Sequence, residues 1–385
     1  LSNGFLYRFG YTGDFEMRAT TLPGIEQLLA DELLKTGAKK IRLNNRIVTF
    51  EGDIGFLYKV HLLSSLSIKI LIPLLDFHCR NDVEFYHQLY DFPWEEWISP
   101  EQSFLFECVG EAEWLNNRMY GAMKAKDALC DRIRKECGRR PSVDKIAPDR
   151  NFYVHIQQNE KCTLFINATG EVLYRRGYRK HQGRAPLSEL LAAALVRLSA
   201  PEGRLCFVDG MCGSGTIGIE ACLNVLKIPP GIFREHYAFM DFPDFNEELW
   251  NKIVESKTER ITEPEGKNFL FYDKDPEIVK KTISNIRAAK LEDAVVLEIK
   301  DFFTLTPPCA SGVLYLNPPY GKRLENSDEA FFKQLGARLK LYWKGWEAWM
   351  IFPEPAYNAI GLRHKKRIKS LNGDIPVYLC GYELF

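Results

Sequence analysis

The chain has 385 residues, of which 46% are hydrophobic and 26% charged, and its 51 Lys plus Arg balance its 51 Asp plus Glu. This profile excludes a disordered or fibrous chain, and the balanced charge excludes a uniformly basic or acidic binder, so any basic surface must be local. The length gives enough material for sizeable cores in two or three domains.

From the amino end, Pro23 to Lys35 carries Ile25, Leu28, Leu29 and Leu33 at helical spacing, with Pro23 near the start and Gly37 past the end. A strand follows over Ile41 to Phe50, a helix over Gly55 to Ser65, and a buried strand over the apolar run Ile68 to Phe77. A second unit opens with a strand at Phe104 to Val109. Its long helix, Tyr120 to Cys137, repeats Ala125, Leu129, Ile133 and Cys137 every four residues and stops at Gly138. Phe152 to Ile156 and Cys162 to Asn167 read as paired strands around the polar turn Gln157 to Lys161. Tyr174 to Arg184 is basic, aromatic and glycine-bearing, a linker or access loop. Leu187 to Leu198 is an apolar helix. Strands at Leu205 to Val208, Phe269 to Tyr272, Val295 to Ile299, Val313 to Leu316 and Ala348 to Phe352 then alternate with helical segments, one of them Ile217 to Leu226. That order predicts a doubly wound α/β sheet. Arg363 to Phe385 reads as a basic strand, a turn at Asn372-Gly373-Asp374 and a last strand, a hairpin at the sheet edge.

No apolar run reaches membrane-spanning length, and Leu1 to Gly13 lacks the apolar core of a signal peptide. The ten cysteines include no Cys-x-x-Cys pair and the seven histidines are scattered. Neither a metal centre nor a disulfide framework is expected, and the chain reads as cytoplasmic, with reduced and mostly buried thiols.

Four features fall at successive strand ends. Asp209-Gly210-Met211-Cys212-Gly213-Ser214-Gly215-Thr216 links the first strand of the sheet to a helix, and its glycines let backbone approach a ligand closely. It is not Gly-x-Gly-x-x-Gly, and no Lys follows to make a phosphate-binding loop. Asp273 ends the next strand, where a carboxylate can accept both hydroxyls of a ribose. Asp301 ends the one after, where it can accept an adenine amino group. Asn317-Pro318-Pro319-Tyr320 ends the fourth. Two prolines fix that turn, so the Asn amide oxygen and the Pro318 carbonyl can face one point beside a flat Tyr320 ring, an arrangement suited to a planar exocyclic amine.

This order resembles S-adenosylmethionine-dependent amino-methyltransferases. Asn117-Arg-Met-Tyr-Gly-Ala-Met-Lys-Ala-Lys-Asp127, Leu173-Tyr-Arg-Arg-Gly-Tyr-Arg179, Met211-Cys-Gly-Ser-Gly-Thr216 and Asn317-Pro-Pro-Tyr-Gly-Lys-Arg-Leu324 resemble the THUMP-domain RNA methyltransferases, most closely the bacterial large-subunit rRNA guanine-N2 methyltransferases. The similarity runs from Thr20 to the C-terminal hairpin. It implies a ferredoxin-like segment over 1–75, a THUMP RNA-binding domain over 76–170, a basic linker over 171–186 and a Rossmann-like methyltransferase domain over 187–385. Some members carry a second methyltransferase domain, for which this chain is expected to have no room. The resemblance implies S-adenosylmethionine held by Asp209, Cys212, Gly213, Ser214, Gly215, Thr216, Asp273, Asp301 and Asn317, although Cys212 itself reads as a packing residue. Asn317, Pro318, Pro319 and Tyr320 are the implied catalytic residues, and no metal is needed. Where such proteins commonly have Asp-Pro-Met-Cys-Gly-Ser-Gly-Thr, this chain has Gly210, which is expected to loosen the backbone.

RNA, with 23S ribosomal RNA first in line, is the implied partner. The cations expected to meet it are Lys124 and Lys126 on the long helix, Arg175, Arg176, Arg179, Lys180 and Arg184 in the linker, and Lys322 and Arg323 beside the Asn-Pro-Pro-Tyr turn. Tyr174, Tyr178 and His181 add stacking to the linker cluster, and Arg363, Lys365, Lys366, Arg367 and Lys369 form a further basic run. Residues before about Gly170 are expected to bind RNA, and those after Arg184 the cofactor. A tRNA guanine, DNA adenine N6, a glutamine side-chain amide and a non-catalytic RNA-binding assembly role are the alternatives.

Overall fold

The computed structural model describes residues 13–385 except 116, 158, 180–186, 202, 204–205, 265–267 and 320–327. The amino-terminal half runs β1 (Phe15–Thr20), α1 (Glu26–Thr36), β2 (Lys39–Asn44), β3 (Ile47–Gly52), α2 (Ile54–Leu63), β4 (Ile70–His78), α3 (Asp82–Tyr90), β5 (Ser103–Gly110), α4 (Arg118–Cys137), β6 (Ser142–Val143), β7 (Arg150–Ile156) and β8 (Lys161–Asn167). These strands form one sheet, ordered β2-β3-β1-β4-β8-β7-β5-β6. β4 pairs with β1 through Ile70 and Leu71 and with β8 from Leu71 to His78, so the 75/76 division falls inside a strand shared by both parts.

Local features differ from the sequence reading, β1 and β6 among them, since neither stretch was read as a strand. The run Ile41 to Phe50 is a hairpin rather than one strand: the chain turns at Asn45-Arg46, with Arg46 at φ 60°, and Leu43 faces Val48. α3 was not expected. It buries only Phe85 and Leu89, too few positions to show a helical period, and it is started by the Asn81 side chain accepting from the Val83 and Glu84 N–H groups.

The carboxyl-terminal half runs α5 (Glu189–Ser199), β9 (Phe207–Asp209), α6 (Thr216–Val225), α7 (Glu247–Thr258), β10 (Phe269–Asp273), α8 (Pro276–Ala288), β11 (Val295–Ile299), β12 (Val313–Leu316), α9 (Asp328–Tyr342), β13 (Glu347–Pro353), α10 (Glu354–Tyr357), β14 (Lys366–Asn372) and β15 (Ile375–Glu383). The sheet order is β11-β10-β9-β12-β13-β15-β14. The first five strands are parallel, and β15 runs antiparallel to both its neighbours. The chain steps from β9 outward to β11, then returns to β12 on the other side. Strand order therefore reverses at β9, which opens a crevice at its carboxyl end.

One contiguous core joins the halves, with Met17, Leu57, Leu164, Leu191, Phe271 and Leu379 among its members. A second core, including Leu314, Leu316, Phe332, Trp343 and Met350, lies on the α9 side of the second sheet. Burial of this kind stabilises by about 25 cal/mol for each Å² of apolar surface removed from water.

Candidate active site

The chain leaves β9 at Asp209 and crosses to α6 through the glycine loop. Gly213 and Gly215 sit at φ 55° and 81°, in the left-handed region where a side chain is strained. The loop is strapped to the strands on both sides. Gly210 N–H donates to the Tyr315 carbonyl at 3.1 Å, and Cys212 N–H donates to the Tyr272 carbonyl at 2.9 Å. Gly213 N–H donates to Asp273 Oδ2 at 2.9 Å. From α8, Asn285 Nδ2 donates to the Ser214 carbonyl at 3.0 Å and the Thr282 hydroxyl donates to the Gly213 carbonyl. A loop held this way is preorganised for a ligand.

The two later acids are also tied to backbone. Asp273 Oδ1 accepts from Asp275 N–H at 3.0 Å, and Asp301 Oδ1 accepts from Phe303 N–H at 2.9 Å. Together with Asn317 and Pro319 they line a cavity of about 520 Å³ that also includes Asp209, Met211, Cys212, Gly213, Ser214, Thr216, Phe302 and Phe303. Lys274, Lys281 and Lys300 complete its wall. The sequence pattern missed Phe302 and Phe303, although they follow Asp301 directly and supply the apolar surface a planar ring needs. It also missed Thr282 and Asn285, which brace the loop from a helix that carries no motif.

Two buried acceptors in this cavity have no donor among the described residues. Asn317 Oδ1 and Asp209 Oδ1 lack hydrogen-bond partners among the described residues. Leaving such an atom unpaired costs about 1–3 kcal/mol, which a ligand carrying N–H or O–H groups would recover. Burial pushes the Asp209 carboxyl up to about 7, and the nearby Asp273 charge adds to this, against the stabilising Gly218 N–H at 3.0 Å. Burial also raises the Cys212 thiol well above its ordinary range, which keeps it neutral. A pocket rich in acceptors, with an apolar wall, fits a ligand bearing ribose hydroxyls, an adenine ring and a sulfonium charge.

Gly210 is not loose. Its N–H bond to Tyr315 is one that Pro could not make, and an added Cβ would lie 2.7 Å from Phe302 Cδ2 and 3.0 Å from Leu316 Cδ2.

The linker residues need correction. Arg176 is 1% exposed. Its Nε donates to Glu220 Oε1 at 3.3 Å, and its Nη2 donates to the Ser65 carbonyl at 2.6 Å. It joins the two halves of the chain and does not face solvent. Tyr178, also 1% exposed, donates to Glu220 at 2.9 Å and offers no stacking surface. Arg179 pairs with Glu189 at 3.2 Å, with both side chains buried. A guanidinium holding a buried carboxylate is removed from the phosphate-binding role expected of it. Arg175 remains at the surface beside Glu171, and Lys124 and Lys126 pair with Asp82 and Asp127. Surface pairs of this kind hold their partners weakly. Tyr320, Lys322, Arg323, Lys180, His181 and Arg184 lie outside the described residues. Among the described residues no cluster of three His, Cys, Asp or Glu could hold a metal ion, and no helix is long and apolar enough to cross a membrane.

A glycine loop after the central strand of such a sheet, with acids closing the next two strands, defines a Rossmann-like methyltransferase of the S-adenosylmethionine-dependent class. Residues 176–379 match the profile of the RMKL-like methyltransferase domain, 79–167 the THUMP domain and 16–71 the RlmL ferredoxin-like domain. The chain belongs to the RMKL-like methyltransferase family. It is 35% identical over 370 residues to a Synechocystis sp. protein provisionally named an RNA methyltransferase, covering 95% of this chain and 96% of that one. It is 33% identical over 374 residues to ribosomal RNA large subunit methyltransferase K/L of Aliivibrio salmonicida, covering 95% of this chain and 53% of the relative. The chain thus spans about half the length of the K/L relatives it matches. Its structure is similar to that of SMU.472, provisionally described as a methyltransferase and complexed with S-adenosylhomocysteine, with a TM-score of 0.83 and 26% identity over 97% of this chain and 98% of that one.

Proposed function

We propose that this protein methylates the exocyclic N2 amine of a guanine in RNA, with large-subunit ribosomal RNA as the substrate, and that it does so in the cytoplasm. The observation that carries the reading is Asn317 Oδ1, a buried acceptor at the end of β12 without a donor among the described residues, in the same cavity as the glycine loop, Asp273 and Asp301. The names of the K/L relatives support ribosomal RNA, and the THUMP domain supports RNA.

S-adenosylmethionine supplies a methyl group activated by its sulfonium. Asp273 would accept its ribose hydroxyls and Asp301 its adenine amine, while Phe302 and Phe303 cover apolar surface. The guanine N2 lone pair is delocalised into the ring, so the amine is a poor nucleophile. Asn317 Oδ1 and the Pro318 carbonyl would accept hydrogen bonds from its two N–H groups and draw the nitrogen toward a tetrahedral shape with a usable lone pair, and the proton that the methylated nitrogen sheds passes to water. Tyr320, whose role rests on the Asn-Pro-Pro-Tyr sequence alone, would stack on the base. The rest is positioning and electrostatic preorganisation. N2 is inaccessible to this site inside a duplex, so the target base is unstacked or already single-stranded.

Nucleoside mass spectrometry of ribosomal and transfer RNA from a strain lacking the gene tests the reading. Loss of N2-methylguanosine from large-subunit rRNA supports it. Loss confined to tRNA moves the substrate, and no loss from either refutes it.

A further inference from the structure

The exposed basic run near the carboxyl terminus is organised differently from the other charged stretches. Arg367 of β14 lies over a pair of rings, its Cζ 4.9 Å from the Tyr357 centroid and 5.1 Å from that of Tyr378. The rings are 5.2 Å apart at 55°. Lys369 lies over Tyr378 at 5.9 Å, and Tyr357 shares a 2.6 Å hydrogen bond with His364. Arg367 and Lys369 are exposed, while the rings are half-buried. Lys365, two residues before, is engaged by Glu347 at 2.7 Å and Glu383 at 3.5 Å. Arg367 has no such ion pair among the described residues.

Strand register places this cluster on the same rim as the catalytic turn. Leu316 faces Met350, Met350 faces Cys380, and Cys380 faces Arg367. Arg367 therefore shares a row with the residue before Asn317. Three strand spacings separate them, on the order of 15 Å. Lys369 faces Tyr378, which faces Phe352 on the next row but one toward the same rim.

Basic residues on an edge strand commonly serve only to block edge-to-edge pairing. That account is weak at Lys369, where the edge already meets another segment: a Cβ on Gly24 would lie 2.3 Å from the Lys369 carbonyl oxygen. The cations at 367 and 369 share the sheet face that carries the rings, where alternation alone would leave them over solvent.

We propose that Tyr357, Tyr378, Arg367 and Lys369 form a platform for the single-stranded segment of RNA next to the target base. A base stacks against the rings and guanidinium while its phosphates meet the two cations. The inference rests on the RNA reading above but not on which base is methylated.

The test is fluorescence anisotropy with the full chain, using labelled oligouridylate and a fully paired RNA duplex over a range of salt. Arg367→Glu, at an exposed position, should keep the wild-type melting temperature. It should weaken oligouridylate binding by about tenfold or more and reduce the salt slope by about one. Arg367→Lys should restore the slope but only part of the affinity, because the ammonium cannot stack as a guanidinium does. Duplex binding should change by less than about threefold, since a duplex offers no free base faces. If Arg367→Glu binds oligouridylate with wild-type affinity and slope, the platform is overturned while the RNA reading stands. If the wild-type protein binds neither RNA, both fall.

Discussion

Arg179 Nη2 donates to Thr216 Oγ1 at 2.9 Å, and so ties the end of the segment linking the two halves to the first residue of α6, on the wall of the cofactor cavity. The same nitrogen donates to the Leu187 carbonyl at 2.7 Å, and the guanidinium neutralises buried Glu189. Burial raises the Glu189 carboxyl, with Arg179 opposing that rise.

Arg179→Ala should therefore act on the cofactor side. Removing one partner of a buried pair costs about 3–5 kcal/mol of stability. Cofactor affinity measured by calorimetry should fall by up to roughly tenfold, about 1.4 kcal/mol, because Thr216 on the cavity wall loses the bond that orients it. Affinity for RNA should be unchanged. Adding Glu189→Gln to Arg179→Ala should recover part of the melting temperature, because no unpaired charge remains.

Asp209 gives a pH dependence. Its carboxyl titrates near 7 in the folded chain, above the ordinary aspartate value of 3.8. A raised acid keeps its proton in the folded state after the unfolded chain has lost it. Its contribution therefore opposes folding increasingly from about pH 4 to about pH 7 and is constant above that. Asp209→Asn removes the effect. Urea titrations should show the variant gaining on wild type across that window by an amount on the order of a few kcal/mol. A difference that is flat with pH would show that Asp209 ionises normally.

Gly210 is the point where this chain departs from the Asp-Pro-Met-Cys pattern. Gly210→Ala should destabilise by about 1–3 kcal/mol through overpacking against Phe302 and Leu316. Gly210→Pro should cost at least as much, because it also removes the bond to the Tyr315 carbonyl. Pairing either change with Phe302→Leu should return part of the loss in thermal melts.

Much of this architecture was legible in the residues. The strand ends at Asp209, Asp273 and Asn317 could be placed because an apolar run of four residues precedes each one, and Asp301 because Val295 to Ile299, broken only by Glu298, lies just before it. Gly37, Gly138 and Gly373 marked stops that the backbone makes with positive φ. What the sequence concealed was pairing. Arg176 and Arg179 look like surface cations until Glu220 and Glu189, which are distant or ambiguous in sequence, close on them in the fold. The basic face of α4 is offset in the same way by acids from other segments, such as Glu95 against Arg132 and Asp82 against Lys124. The hairpin at Asn45-Arg46 was hidden because neither Gly nor Pro marks it.

The central claim is that Asn317 presents an amine to an activated methyl group, and one assay tests it most directly. Purified protein is incubated with unmethylated large-subunit rRNA and S-adenosylmethionine, and the digested nucleosides are followed over time by mass spectrometry. The wild-type protein should produce N2-methylguanosine. Asn317→Ala should produce it roughly a hundredfold more slowly, with cofactor affinity largely intact. A full rate from Asn317→Ala, or accumulation of a different methylated nucleoside, would contradict the account.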